Sequence, residues 1–132
     1  MILVDTSVWI DHFHKPEPQL VELLNLKLIS CHPLVIEEIA LGSVKDRDKT
    51  LSLLEDLEQF EDITHPRFSQ LVTQMRLWGK GLSVVDVHLL GSVIDHDGSR
   101  LWTRDQRLHK AASAAGVAFS EATPSQRQQR PS

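Results

Sequence analysis

The chain has 132 residues, 41% apolar and 24% charged, the make-up of one ordinary soluble domain able to bury roughly two-thirds of its unfolded surface without staples. Its single cysteine, Cys31, excludes an internal disulfide and any multi-cysteine metal site, and no apolar run reaches the roughly 18 residues of a membrane helix. Fourteen Lys and Arg against eighteen Asp and Glu leave a net charge of −4, which argues against a simple phosphate-binding module but not against an enzyme that meets phosphate through a bound metal.

The opening Met1-Ile2-Leu3-Val4 stops at Asp5, far short of a signal peptide's apolar core, so the expectation is a soluble cytoplasmic protein with no membrane partner. Ile2–Val4 reads as a buried strand, Asp5-Thr6-Ser7 as a turn, and Val8, Trp9, Ile10 and Phe13 as the apolar face of a helix. Glu17–Leu26 sets Leu20, Leu23 and Leu24 on one helical face, and Leu28–Cys31 is a short strand. Pro33 suits the first turn of a helix that Gly42 stops. Lys49–Phe60 is helical by its leucine spacing, Glu61–Thr64 is a weak strand, and Phe68, Leu71, Val72 and Met75 mark a helix closed by Gly79-Lys80-Gly81. Ser83 starts another helix, Arg100–Thr103 is a strand after the Asp97-Gly98 turn, Gln106–Ala115 is a helix, and Val117–Phe119 a last short strand. Beyond Glu121 the chain loses its apolar residues, so residues 1–121 form the domain and 122–132 a disordered tail.

Strands alternating with helices, the first strand apolar on both faces, predict an α/β fold: a parallel sheet with helices on both faces. Such sheets bind ligands beyond the carboxyl ends of their strands. Asp5 and Asp105 stand at such ends, Asp86 in the first turn of a helix, and Glu38 inside the helix after the second strand. Four convergent carboxylates make a hard-cation site suited to Mg²⁺ or Mn²⁺, since crowded anions are relieved only by a cation or by raised pKa values. Each acid also has a plain structural role open to it. Asp86 follows Ser83 at capping-box spacing, Thr103 with Gln106 fits the same pattern, Asp105 suits a helix dipole, and Asp5 and Glu38 suit a turn and a solvated helix face. Setting those four acids aside leaves fourteen acidic against fourteen basic residues, so the excess charge would be local.

Other chemistries find little support. The seven His lack zinc-hydrolase spacing, Gly79-Lys80-Gly81 lacks the rest of a P-loop, and no Gly-x-Ser-x-Gly elbow occurs. Cys31 and the three Trp residues read as core, with base stacking as the lesser alternative for the indoles. A receiver-type signalling domain would need a phospho-acceptor Asp ending a central strand, whereas Asp56 lies in a leucine-patterned helix.

Ile2-Leu3-Val4-Asp5-Thr6-Ser7-Val8-Trp9-Ile10 resembles the opening of PIN-domain ribonucleases, in particular the VapC toxins of bacterial toxin–antitoxin pairs. Val35–Gly42 resembles their second motif, a Glu four residues before Gly, which selects Glu38 over Glu37. Gly81–Leu90 resembles the third, whose Asp opens a helix, and Leu101–Leu108 the fourth, a strand-ending Thr-x-Asp. The motifs stand in order from Met1 to about Phe119; Ser83 replaces a frequent Gly and Val87 a frequent Ala, and neither change removes a carboxylate.

The resemblance implies a PIN-like fold and a Mg²⁺-dependent (or Mn²⁺-dependent) endoribonuclease acting on transfer or ribosomal RNA. Its metal would be held by Asp5, Asp86 and Asp105, with Glu38 binding metal or positioning water and the hydroxyls of Thr6 or Thr103 in support. Lys80, Arg104, Arg107 and Lys110 are candidate contacts to RNA phosphates. It also implies a homodimer and a VapB-type antitoxin, for which the residues around Trp9, Phe13 and Leu20 offer a groove. The alternative is a catalytically silent PIN-fold module that binds protein or RNA, disfavoured because all four acids are present.

Overall fold

A computed structural model describes residues 1–122. Its strands are β1 (Ile2–Val4), β2 (Ile29–Cys31), β3 (Glu58–Gln59) and β4 (Arg100–Trp102), all parallel in the order β3-β2-β1-β4. Between and after them run α1 (Thr6–His14), α2 (Pro18–Asn25), α3 (Pro33–Leu41), α4 (Arg47–Glu55), α5 (His65–Met75), α6 (Val84–Ile94) and α7 (Gln106–Ala114). The first two crossovers carry the chain one way from β1; the third jumps back across it to β4. Because crossovers are right-handed, this reversal puts the earlier and later helices on opposite faces. Accordingly α1, α3 and α4 pack together, as do α5, α6 and α7.

Leu3 and Val4, side by side on β1, are both fully buried, as a sheet covered on two faces requires. Leu20, Val35, Ile39, Leu89, Leu90, Leu101 and Leu108 carry that core into the helices. Cys31 belongs to it, and burial pushes its thiol up to about 11, as expected of a packing residue. No helix among the described residues is long and apolar enough to cross a membrane.

Several readings from the sequence are corrected. The helix expected over 49–60 is α4, Arg47–Glu55; it stops because Glu58 and Gln59 must extend to pair with Ser30 and Cys31, and Leu57 extends the leucine spacing beyond it. That pairing places the strand at 58–59 rather than 61–64. The expected strand at 117–119 is a single bridge, Ala118 beside Leu101. Trp9 and Trp102 are core, but Trp78 is 64% exposed on the loop after α5. Of the expected tail, Ala122 is buried and its N–H donates to Gln19 Oε1, while 123–132 lie outside the described residues.

A buried polar knot joins the two halves of the fold. His32, fully buried, caps α3 by accepting the Leu34 N–H at Nδ1 (3.0 Å), which leaves Nε2 to carry the proton. That nitrogen meets Ser92 Oγ of α6 at 3.0 Å and Asp62 Oδ1 at 3.3 Å; Asp62 also takes His88 Nδ1 at 2.8 Å. Burial lowers the His32 pKa, Asp62 working against it and His88 with it. The unfolded chain therefore binds a proton that the folded one refuses, and this share of stability is lost as pH falls from about 6.5 through the lower folded value. His32→Asn, which can still cap α3, should cost about 1–3 kcal/mol through the polar groups it orphans. It should also lose less stability on going from pH 7.5 to 5 in thermal melts, while the share due to His12, whose pKa burial also lowers, stays in both proteins. Parallel profiles for the two proteins would refute this account.

Candidate active site

The strand order reverses at β1, so the switch point of the sheet lies between the carboxyl ends of β1 and β4, where open α/β sheets bind ligands. Asp5 follows β1 there and is 6% exposed; its N–H donates to Trp102 O of β4 at 2.8 Å. Two hydroxyls donate to its Oδ2, Thr103 at 2.7 Å and Ser7 at 2.8 Å. Those hydroxyls accept in turn from the chain after β4: Thr103 Oγ1 from the Asp105 N–H at 3.1 Å and Ser7 Oγ from the Arg104 N–H at 3.1 Å. Ser7 escaped the sequence reading as a site residue; its signal was a hydroxyl two positions beyond a strand-ending acid.

The other three acids are anchored by the same logic. Glu38, on α3, accepts the Thr6 hydroxyl at Oε1 (2.7 Å). Asp86 forms a capping box with Ser83, taking the Ser83 N–H at Oδ2 (2.9 Å) while its own N–H donates to Ser83 Oγ. Asp105 is the N-cap of α7, its Oδ1 accepting the Arg107 and Leu108 N–H groups at 2.9 and 3.1 Å. That cap belongs to Asp105, not to the Thr103–Gln106 pair that the spacing suggested. Each carboxylate thus ties one oxygen to the protein, and its second oxygen has no hydrogen-bond partner among the described residues.

None of these acids pairs with a Lys, Arg or His among the described residues. They feel one another instead. Burial raises the Glu38 pKa, and the charges of Asp5 and Asp86 add to it against the Thr6 hydrogen bond. Burial likewise raises Asp86, with Asp5 and Asp105 adding to it and the Ser83 bonds opposing. No three acids, imidazoles or thiols among the described residues are drawn in tightly enough to grip an ion as they stand. The donor set nonetheless suits a hard divalent cation: all oxygen, one free oxygen per acid, and an uncompensated negative field.

Of the candidate cations, Lys80, Arg107 and Lys110 line one cavity with no ion pair among the described residues. Arg104 is occupied elsewhere, holding Asp11 at 2.8 Å, Glu17 at 2.9 Å and Glu121 at 2.8 Å. Glu121 also accepts from Trp102 Nε1, so Arg104 fastens the last described residues to α1 and β4.

A carboxyl whose folded pKa is raised helps stability while protonated and loses that share as pH rises through the folded value. Glu38→Gln keeps an oxygen for Thr6 and removes the charge. In chelator it should melt above the wild type at pH 7, and the gap should close near pH 4. A variant melting below wild type at both pH values would contradict the raised Glu38 pKa.

The family model for the PIN domain matches residues 2–114. Ribonuclease VapC32 of Mycobacterium tuberculosis is 56% identical over 121 residues, spanning 92% of this chain and 98% of that protein. Among solved structures, PAE2754 from Pyrobaculum aerophilum aligns at a TM-score of 0.59 and 18% identity over 89% of this chain and 87% of its own. FitAB bound to an IR36 DNA fragment aligns at 0.57 and 19% over 89% and 92%. At those identities the two structures speak for the fold alone. The family match, the 56% identity and the acids at the sheet's switch point agree: this chain belongs to the PIN domain family and is similar to its VapC members.

Proposed function

We propose that the chain is a divalent-metal-dependent endoribonuclease of the VapC toxin type, cutting transfer or ribosomal RNA to inhibit translation and neutralised by a VapB-type antitoxin. The observation that carries this reading is the set of four uncompensated carboxylates, each anchored through one oxygen and open at the other. The kinship with a protein named Ribonuclease VapC32 supports it.

Asp5, Asp86 and Asp105 would hold the metal, Mg²⁺ or Mn²⁺, with their free oxygens. A cation bound there would acidify water and neutralise charge on the phosphate oxygens. Thr103 and Ser7 lock the Asp5 carboxylate in place, as supporting hydroxyls do for metal ligands. Thr6 holds one oxygen of Glu38, leaving the other to orient the attacking water and take its proton. The water oxygen bonds to phosphorus, the bond from phosphorus to O3′ breaks, and a proton goes to O3′. The products are a 5′-phosphate and a 3′-hydroxyl.

The surface supports the antitoxin part of this reading. A cavity of about 390 Å³ between α1, α2 and α4 is lined by Trp9, Phe13, Leu24, Leu53 and Leu57, with Leu53 59% exposed. The Trp9 Nε1–H is buried without an acceptor among the described residues. An antitoxin helix seated there covers the apolar wall; Leu20, wholly buried, belongs to the core rather than to this groove. The homodimer stays part of the proposal.

The deciding measurement is incubation of antitoxin-free protein with total cellular RNA and Mg²⁺, followed by sequencing of 5′-phosphate ends. Discrete ends should appear with wild type and vanish with chelator. Asp5→Asn should keep its fold and lose at least about a hundredfold in rate, the upper end of what weaker, indirect metal-site changes cost. It should also lose the rise in Tm that Mg²⁺ gives wild type. Cleavage by Asp5→Asn at the wild-type rate would sink the proposal, and folded wild type that binds Mg²⁺ without cutting would favour the silent binding module.

A further inference from the structure

Along α7, the helix that Asp105 caps, lies a cavity of about 350 Å³ that the proposed hydrolysis does not use. Its wall comes from three separated parts of the chain: the end of α5, the loop at 76–83 that leads to Asp86, and α7, which Asp105 caps. Lys80, Arg107 and Lys110 stand around it, and no acidic residue lines it. In a chain with net charge −4 this is a local reversal of sign. Met75, Leu77, Leu82 and Ala111 make the rest of the wall apolar.

Arg107 is set in place by its surroundings. Its N–H donates to Asp105 Oδ1, and its side chain lies flat against Gly81: a Cβ there would sit 2.9 Å from Nη1 and 3.0 Å from Cδ. Gly81 also has φ +76°, so glycine satisfies both the backbone and the close approach. One arginine thus spans from the residue that caps α7 to the loop that positions Asp86.

We infer that this cavity is a nucleotide subsite of the RNA-binding cleft, taking the base of a nucleotide flanking the scissile phosphate against Met75, Leu77, Leu82 and Ala111 while Lys80, Arg107 and Lys110 hold its phosphates. The chemistry selects this occupant. An apolar ligand has no use for three cations, whereas a nucleotide combines an apolar base with adjoining anions, and splayed bases of single-stranded RNA are the parts that proteins read. A thioether such as Met75 packs well against aromatic rings. Since the lining side chains supply no acceptor, selection there is by base size and shape rather than by hydrogen-bond pattern.

The inference deepens the ribonuclease reading and rests on it for the identity of the cleft, so the test reads binding and cleavage separately. Full-length wild type, Ala114→Trp and Lys110→Glu would be titrated, with Ca²⁺ in place of Mg²⁺, against labelled single-stranded RNA decamers carrying one abasic position moved along the strand. Ala114 lines the cavity from an exposed position and fills it when enlarged; Lys110 is exposed, so folding is spared. Circular dichroism checks both variants.

Wild type should lose about tenfold in affinity when the abasic position occupies the pocket, and Ala114→Trp should bind all decamers alike. Lys110→Glu should weaken every decamer and lower the salt slope. Decamer affinities within twofold of wild type in both variants would overturn the subsite, and loss in those variants of glutamate-peptide binding instead would assign the cavity to protein docking. In Mg²⁺, wild type that binds with the abasic dependence yet cuts nothing would fail the nuclease reading while leaving the subsite standing.

Discussion

A carboxylate that is 6% exposed, with no cation beside it, should be an unstable feature of a fold, yet Asp5 sits where the two directions of chain winding part. Burying an isolated charge is costly unless hydrogen bonds replace its water, and the replacement is the pair of hydroxyls on Oδ2. Because Thr103 and Ser7 pass those bonds on to the backbone of Asp105 and Arg104, satisfying Asp5 also fixes the path of the chain after β4. The start of α7, the position of Asp105 and the route of Arg104 toward its acidic partners all descend from that arrangement.

Two acids of the site show why structural and functional readings of one residue need not compete. Asp86 and Asp105 are helix caps, as their spacing allowed, but a cap uses one carboxylate oxygen and leaves the other. The caps add something a metal site needs, since they fix orientation and set the anions against the positive ends of two helices. That dipole offsets part of the mutual repulsion; the raised pKa values of Glu38 and Asp86 reflect burial first and the neighbouring acids after it.

The parts of this fold legible in the sequence were those with a period or a strong local signal. β1 announces itself as an apolar run ending in an acid, β4 as a short segment after the Asp97-Gly98 turn, and α6 begins where Ser83 and Asp86 mark a capping box. β3 left no such trace, because Glu58 and Gln59 lie exposed at the sheet edge and become a strand through pairing with β2 alone. The His32–Ser92–Asp62 knot was equally silent, since residues 60 positions apart meet only after both faces of the sheet are covered. For the site, the four acids could be picked out by position and motif. That Ser7 rather than solvent would hold Asp5, and that Arg104 would be taken up by three carboxylates, depended on where α1 and the chain end come to lie.

Arg104 and Arg107 look interchangeable along the sequence, three residues apart beside the same acid, and the fold gives them opposite roles. The first is enclosed by Asp11, Glu17 and Glu121, and the hydrogen bond to Glu17 leads the others in raising its pKa, so its charge is cancelled within the protein. The second has no carboxylate partner for its side chain among the described residues and lies on Gly81 at the mouth of an acid-free cavity. A polyanion approaching four carboxylates needs positive charge that the protein has not already neutralised. On that criterion the proposed ribonuclease would meet RNA from the α7 and Lys80 side, with the Arg104 side as the brace that holds the chain beside Asp105.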